Sequence, residues 1–177
     1  MKRSTPLLRK TPLKPGGPIR RHNAALKPRK TRLKKSVLRE TVCRNPAYLA
    51  AVRTIDCVNC GRHGHTQAAH SNQLRFGKGG RLKASDATAM ALCSFPAIGV
   101  SGCHEILDQG GAMIKEARNQ FEYQMIVLTA LHLIAEGKLV GSVETTAAIK
   151  SAYHAGFEQA AMIVVHAIEN NLLQVAK

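Results

Sequence analysis

An α+β fold in which helix predominates is the class this sequence predicts, on three observations. Aromatic residues make up only 4% of the chain and Trp is absent, so a packed interior must rely on Ala, Leu, Ile and Val, which favours helices over a large sandwich. From Ala112 onward apolar residues recur every three or four positions, the repeat of one helical face. Residues 61–86 are instead rich in Gly, His and polar side chains, as loops and short hairpins are. At 177 residues the chain has the size of one compact domain with appendages.

Charge divides the chain. The net charge is +15, and residues 1–39 hold 14 of the 26 Lys and Arg with no acid, so the other 12 basic residues face all 11 acidic ones. Pro6, Pro12, Pro15, Pro18 and Pro28 break any continuous helix there. This segment is predicted to be a disordered basic tail. It suits a polyanion, and clustered cations bind nucleic-acid phosphates by releasing counterions; the alternative is a solubilising tail. The same prolines exclude an amphipathic transit peptide. The longest apolar stretches, such as Ala160–Val165, fall far short of a bilayer span. No membrane association is expected, and the location expected is the cytoplasm. In a reducing compartment, five cysteines point to metal binding more than to disulfides.

The elements follow in order. Asn45-Pro46 reads as a cap and first position for a short helix over 47–52. It leads into Cys57-Val58-Asn59-Cys60, a C-x2-C pair, after which 32 residues intervene before Cys93 and nine more before Cys103. A helix carries Ile114, Ala117, Phe121, Met125, Leu128, His132 and Ala135 on one face and stops at Gly137. A second helical region covers Val143 to Val175, with Ile149, Tyr153, Phe157, Ala160, Val164 and Ile168 in register and a break near Gly156. Both read as packing elements, with His132, His154 and His166 satisfied or facing solvent. The predicted organisation is a tail (1–39), a core (40–111) and a helical region (112–177).

Two constellations carry chemistry. Cys57, Cys60, Cys93 and Cys103 form a tetrahedral thiolate set for a structural Zn2+, with Cys43 left over; a redox C-x-x-C is the alternative, without a βαβ pattern around it. A fully liganded zinc leaves no open position, so catalysis must come from elsewhere. His104 and Asp108 lie four residues apart and share a face on a helix starting near Cys103, where they suit one divalent cation, Mg2+ or Mn2+. His70, in Ala69-His70-Ser71-Asn72, suits a general base, because neutral imidazole can take a proton from water near neutral pH while a cation stabilises phosphate.

The order C-x2-C, Ala-His, Lys83-x2-Asp86, Cys93, Cys103-His104-x3-Asp108 resembles that of the HNH (ββα-metal) endonuclease superfamily, closest to the YbcO-like phage and prophage nucleases. The resemblance covers Ala47 to about Gly137, half the chain. It implies a zinc-bound ββα-metal core with additional C-terminal helices. It also implies His70 as general base, Asp86 as the loop residue orienting it, His104 and Asp108 on the catalytic cation, and a bacterial host cell. Three departures matter. Ala69 stands where a metal ligand is common, which leaves the cation fewer protein ligands. Asp86 replaces the usual Asn and can stabilise a protonated His70 or ligate the cation; Asn72 and His65 are other candidate ligands. Cys93 and Cys103 are nine residues apart where a knuckle normally has two.

Arg75, Lys78, Arg81 and Lys83 flank Gly77, Gly79 and Gly80 and read as a phosphate-contacting loop or as solvated surface; the spacing is not that of a P-loop. The expected activity is phosphodiester hydrolysis in nucleic acid, DNA foremost. Two alternatives remain: a non-catalytic zinc-stabilised nucleic-acid-binding or recombination accessory protein, and an interaction protein forming a homodimer through its C-terminal helices.

Overall fold

The computed structural model describes residues 42–79, 82–94, 100–109 and 113–176. The chain divides into two units, Met1–Arg39 and Glu40–Lys177, and the first, with the predicted basic tail, lies outside the described residues, as does Arg81.

Helix α1 (Pro46–Val52) begins where local chemistry directs it. The Asn45 side chain accepts the Tyr48 N–H at 2.9 Å, and Pro46 sits at the first turn, where its missing N–H costs nothing. Strands β1 (Thr66–Ala69) and β2 (Met90–Cys93) pair antiparallel, with Thr66 opposite Cys93 and Ala69 opposite Met90. Short 3-10 turns at Leu74–Phe76 and Asp86–Thr88 lie between them. All four residues of β2 are buried. Its outer edge is closed rather than exposed: the Ala91 N–H donates to Thr129 Oγ1 at 3.0 Å and the Ala91 carbonyl accepts from Val58 N at 3.0 Å.

The short helix α2 (Cys103–Asp108) follows the strand pair. Its cap, Gly102, needs to be glycine, because a Cβ there would collide with the Cys93 and Ser94 backbone. That close approach brings the start of α2 against the end of β2.

Helix α3 (Lys115–Ala135) ends before Gly137, whose φ of +68° suits glycine. Its buried face differs from the predicted one. Glu122, Tyr123, Ile126, Val127, Ala130 and Leu133 are buried together with Met125, whereas Ile114, Ala117, His132 and Ala135 are exposed. The stripe is displaced because α3 packs against several elements at once, β2 and a later helix foremost. His132, His154 and His166 are exposed.

The region from Val143 to Val175 is helical with the expected break, except at its end. It comprises α4 (Val143–Ala155), started by Ser142 Oγ accepting from Thr145 N at 3.1 Å, and α5 (Phe157–Glu169) after the expected break at Gly156. It then ends in a strand, β4 (Leu173–Val175), antiparallel to β3 (Leu139–Gly141). Asn171, at φ +57°, turns the chain between α5 and β4. One hydrophobic core joins Tyr48, Val52, Leu92, Ile126, Leu133, Ile149, Val164 and Ile168. The fold is α+β with helix predominating. No helix among the described residues is long and apolar enough to cross a membrane.

Candidate active site and metal centre

Cys57 and Cys60 lie on the turn after α1, Cys93 ends β2 and Cys103 opens α2. Their four sulfurs all lie within 4.8 Å of one another. Sulfurs about 2.3 Å from a tetrahedral ion stand about 3.8 Å apart, and Cys60 Sγ and Cys93 Sγ are separated by 3.7 Å, too far for a disulfide. The group can hold a metal ion such as zinc, and it would join the turn, the strand and the helix. Cys43 stands outside it.

The surroundings of the sulfurs fit an ion. Burial alone would raise the Cys57 thiol, but backbone N–H groups of Cys60, Cys93 and Asn59 outweigh it and bring it down to about 7. Burial pushes Cys103 up to about 12 against the Asn59 amide, which donates to its sulfur at 3.2 Å. The Cys103 N–H points at Cys93 Sγ at 3.4 Å. Such N–H···S contacts stabilise thiolate, the form that binds metal. Asn59 carried no signal in the sequence beyond its place between two ligands.

His70 leaves the end of β1, and Asp86 opens the 3-10 turn before β2, so the two strands bring them together. Nε2 of His70 lies 2.8 Å from Asp86 Oδ1. The carboxylate is 4% exposed and accepts two further bonds, from Arg44 Nη1 at 3.0 Å and from Asn45 N at 2.9 Å. Burial would raise the Asp86 carboxyl, but the bonds from His70, Asn45 and Arg44 prevail and hold it below the usual carboxylate range. An ionised carboxylate only accepts, so Nε2 carries the hydrogen and Nδ1 of neutral His70 keeps a lone pair. Arg44 also donates to Ala84 O and Lys83 O, at 2.8 and 3.1 Å. It went unnoticed in the sequence because it is a lone cation outside every motif.

His104 and Asp108 share a face of α2, with Nε2 and Oδ2 3.2 Å apart. Gln67 Oε1 faces His104 Nδ1 at 3.2 Å, and Asn72 Nδ2 donates to Asp108 Oδ1 at 2.9 Å. A carbonyl oxygen only accepts, so Nδ1 carries a hydrogen. Nε2 then meets Asp108 Oδ2 as acceptor against acceptor unless the ring is doubly protonated or a cation lies between them. Neighbouring ligands about 2.1 Å from an octahedral ion are about 3.0 Å apart, so the pair fits one. Gln67, Ser94, His104, Glu105, Asp108 and Gln109 line an open cavity of about 310 Å³ at this point. Both pairs are thus anchored to residues 67–72. Ala69, wholly buried, offers no ligand.

Glu122 was missed in the sequence reading, which saw only packing on α3. Its carboxylate is fully buried and accepts from Ser71 Oγ at 2.5 Å, from Asn72 N at 3.2 Å and from Gln73 Nε2 at 3.1 Å. It fixes the segment that immediately follows His70. Of the predicted phosphate-contacting residues, Arg75 is engaged already, bonded to Glu158 at 2.6 Å and lying 5.7 Å over the Tyr123 ring. Lys78 is half-buried and Lys83 exposed.

Compared with protein-family models, curated proteins and solved structures, the chain matches none.

Proposed function

We propose that this chain is a metal-dependent endonuclease that hydrolyses phosphodiester bonds in nucleic acid, DNA foremost. The observation that carries the reading is the convergence of two pairs, His70–Asp86 and His104–Asp108, on the short segment Gln67–Asn72. A strand pair followed by a short helix is what the HNH resemblance implies, and with a metal ion bound the cysteine group would join strand to helix.

In this mechanism Nδ1 of His70 takes a proton from water as the water oxygen bonds to phosphorus. Asp86 keeps the ring oriented and stabilises the imidazolium that forms. The bond from phosphorus to the leaving sugar oxygen breaks, and that oxygen takes a proton from solvent. His104 Nε2 and Asp108 Oδ2 would hold Mg2+ or Mn2+, which when bound supplies positive charge to the phosphate oxygens. Asn72 holds the Asp108 carboxylate in place, and Gln67 sets the His104 tautomer.

The test is cleavage of plasmid and single-stranded DNA and of RNA with Mg2+ or Mn2+, comparing wild type with His70→Ala. Loss of cleavage with retained zinc content, helicity and affinity is expected, because a general base acts on the reaction rather than on binding. Activity persisting in a clean His70→Ala preparation would remove His70 from this role. A second reading, a zinc-stabilised nucleic-acid-binding module or recombination accessory without catalysis, is favoured by the buried Ala69. It takes over if wild type cleaves nothing under any metal while binding nucleic acid.

A further inference from the structure

Between the 3-10 turn at Leu74–Phe76 and the first turn of α3 lies a cavity of about 310 Å³ whose walls include Arg75, Lys115, Arg118, Asn72 and Asn119. We propose that it binds a backbone phosphate of the polynucleotide beside the scissile bond, an assignment that rests on the nuclease reading for its substrate.

Three observations support it. First, the cavity adjoins the candidate site: Asn72 lines it while donating to Asp108 Oδ1 at 2.9 Å. A strand whose scissile phosphate meets His70 and Asp108 would reach this cavity by passing Asn72. Second, the wall is cationic. Three basic side chains line it with one carboxylate, Glu122, whose oxygens are turned onto Ser71, Asn72 and Gln73, and Glu158 outside the lining pairs with Arg75, so the positive excess is small. Arg75 is fixed by Glu158 and the Tyr123 ring, which makes it a rigid wall. Arg118 bonds to Met113 O at 3.3 Å, and Lys115 has no ion-pair partner among the described residues.

Third, Lys115 stands where folding disfavours a cation. It is three residues from Arg118 on one helical face, where like charges repel, and it opens α3, where the helix dipole opposes positive charge, whereas Arg118 is four residues before Glu122, a favourable spacing. An anion in the cavity would offset both effects. Glu116, in the same turn, does not line the cavity. Phosphate contacts of this kind position a strand without reading its sequence.

The deciding experiment uses the zinc-loaded full chain with no added Mg2+ or Mn2+, so that binding is measured without cleavage. The binding of labelled short oligonucleotides, duplex DNA in one arm and single-stranded RNA in the other, is followed by fluorescence anisotropy over a salt series. Lys115→Glu is compared with Lys150→Glu, an equal charge reversal on α4, away from this cavity. Lys115→Glu is expected to weaken binding about fivefold more than the control and to flatten the dependence of log K on log salt by about 0.7 to 0.9 per lost phosphate contact. Its melting temperature is expected to hold or rise, because Glu suits a helix N-terminus. Equal weakening by both reversals, or wild-type affinity in Lys115→Glu, would overturn the assignment. If wild type binds but never cleaves, while Lys115→Glu alone loses affinity, the nuclease reading fails and the phosphate site stands.

Discussion

His70 and Asp86 lie 16 residues apart in sequence and 2.8 Å apart in the fold, and the carboxylate that meets the imidazole is held from two other sides by Arg44 and Asn45. Asn45 is also the cap of α1, so the start of that helix and the orientation of the histidine share one residue. A carboxylate so placed leaves the ring little freedom to rotate, as general-base catalysis requires.

Asp86→Asn tests that dependence. The amide can replace one accepted bond but cannot stabilise an imidazolium or receive three donors as well as a carboxylate does. If the chain cleaves nucleic acid as proposed, the single-turnover rate is expected to fall by about a hundredfold or more, with affinity within a few-fold of wild type. A rate within about threefold would mean that the His70–Asp86 bond is structural only.

The same carboxyl makes stability depend on pH. Because folding depresses its pKa, its contribution is present above the ordinary carboxylate value of about 3.9 and is lost as pH falls through the lower folded value. Urea midpoints of wild type and Asp86→Asn are therefore expected to differ at about pH 5 and to converge as pH falls below about pH 4. Taking the difference removes the acid sensitivity of the cysteines, which both proteins share. A gap undiminished at the acid end would show that the ionised form contributes nothing.

How much of this was legible in the sequence depended on whether the cause was local. Asn45-Pro46 and Gly137 mark helix ends through their own backbone chemistry, and four-residue spacing is enough to place His104 and Asp108 on one face. The sequence could not show which face of α3 is buried, because β2 and α5 decide that. Nor could three residues of alternation in Leu173–Val175 reveal a strand when the partner, Leu139–Gly141, is as short. Glu122 looked like any solvated helical acid; only the fold brings Ser71, Asn72 and Gln73 to it.

Removal of metal is expected to act on the region where turn, strand and helix meet. One zinc per chain should be found in protein purified without added metal, and structural zinc contributes on the order of 10 kcal/mol in small modules. Gly102→Ala should lower zinc affinity although it touches no sulfur, because the new methyl group forces the start of α2 away from Cys93 and Ser94. Competition with a chromophoric chelator measures this, and unchanged affinity would mean that the close approach does not govern the cysteine geometry.

Glu122→Ala should cost at least about 1 to 3 kcal/mol in chemical denaturation, the usual range for leaving a buried donor without its acceptor. Ser71 Oγ, Asn72 N and Gln73 Nε2 would lose their acceptor in a site with little access to water. Glu122→Gln keeps the shape and one acceptor and should cost less than half as much. A loss under about 1 kcal/mol for Glu122→Ala would show that water or a shifted segment takes over these donors.

Gln67 provides the most specific test of the candidate cation site, because it touches neither Asp108 nor His70. By accepting from Nδ1 of His104 it leaves Nε2 as the ligand atom facing Asp108 Oδ2. Gln67→Leu removes that acceptor and frees the ring to rotate or change tautomer, at little cost to the fold because Gln67 is the exposed residue of β1. Loss of an orienting partner of this kind typically weakens metal affinity by about 10- to 100-fold. Titration of Mn2+ into zinc-loaded protein, followed by calorimetry or water-proton relaxation, should therefore show the midpoint moving to higher concentration with the zinc content unchanged. Asp108→Ala should abolish the same signal, since it removes a ligand rather than an orienting group, and excess Mn2+ should restore cleavage in Gln67→Leu but not in His70→Ala. Wild-type Mn2+ binding in both Gln67→Leu and Asp108→Ala would place the cation elsewhere and leave His104 and Asp108 as an ordinary surface pair.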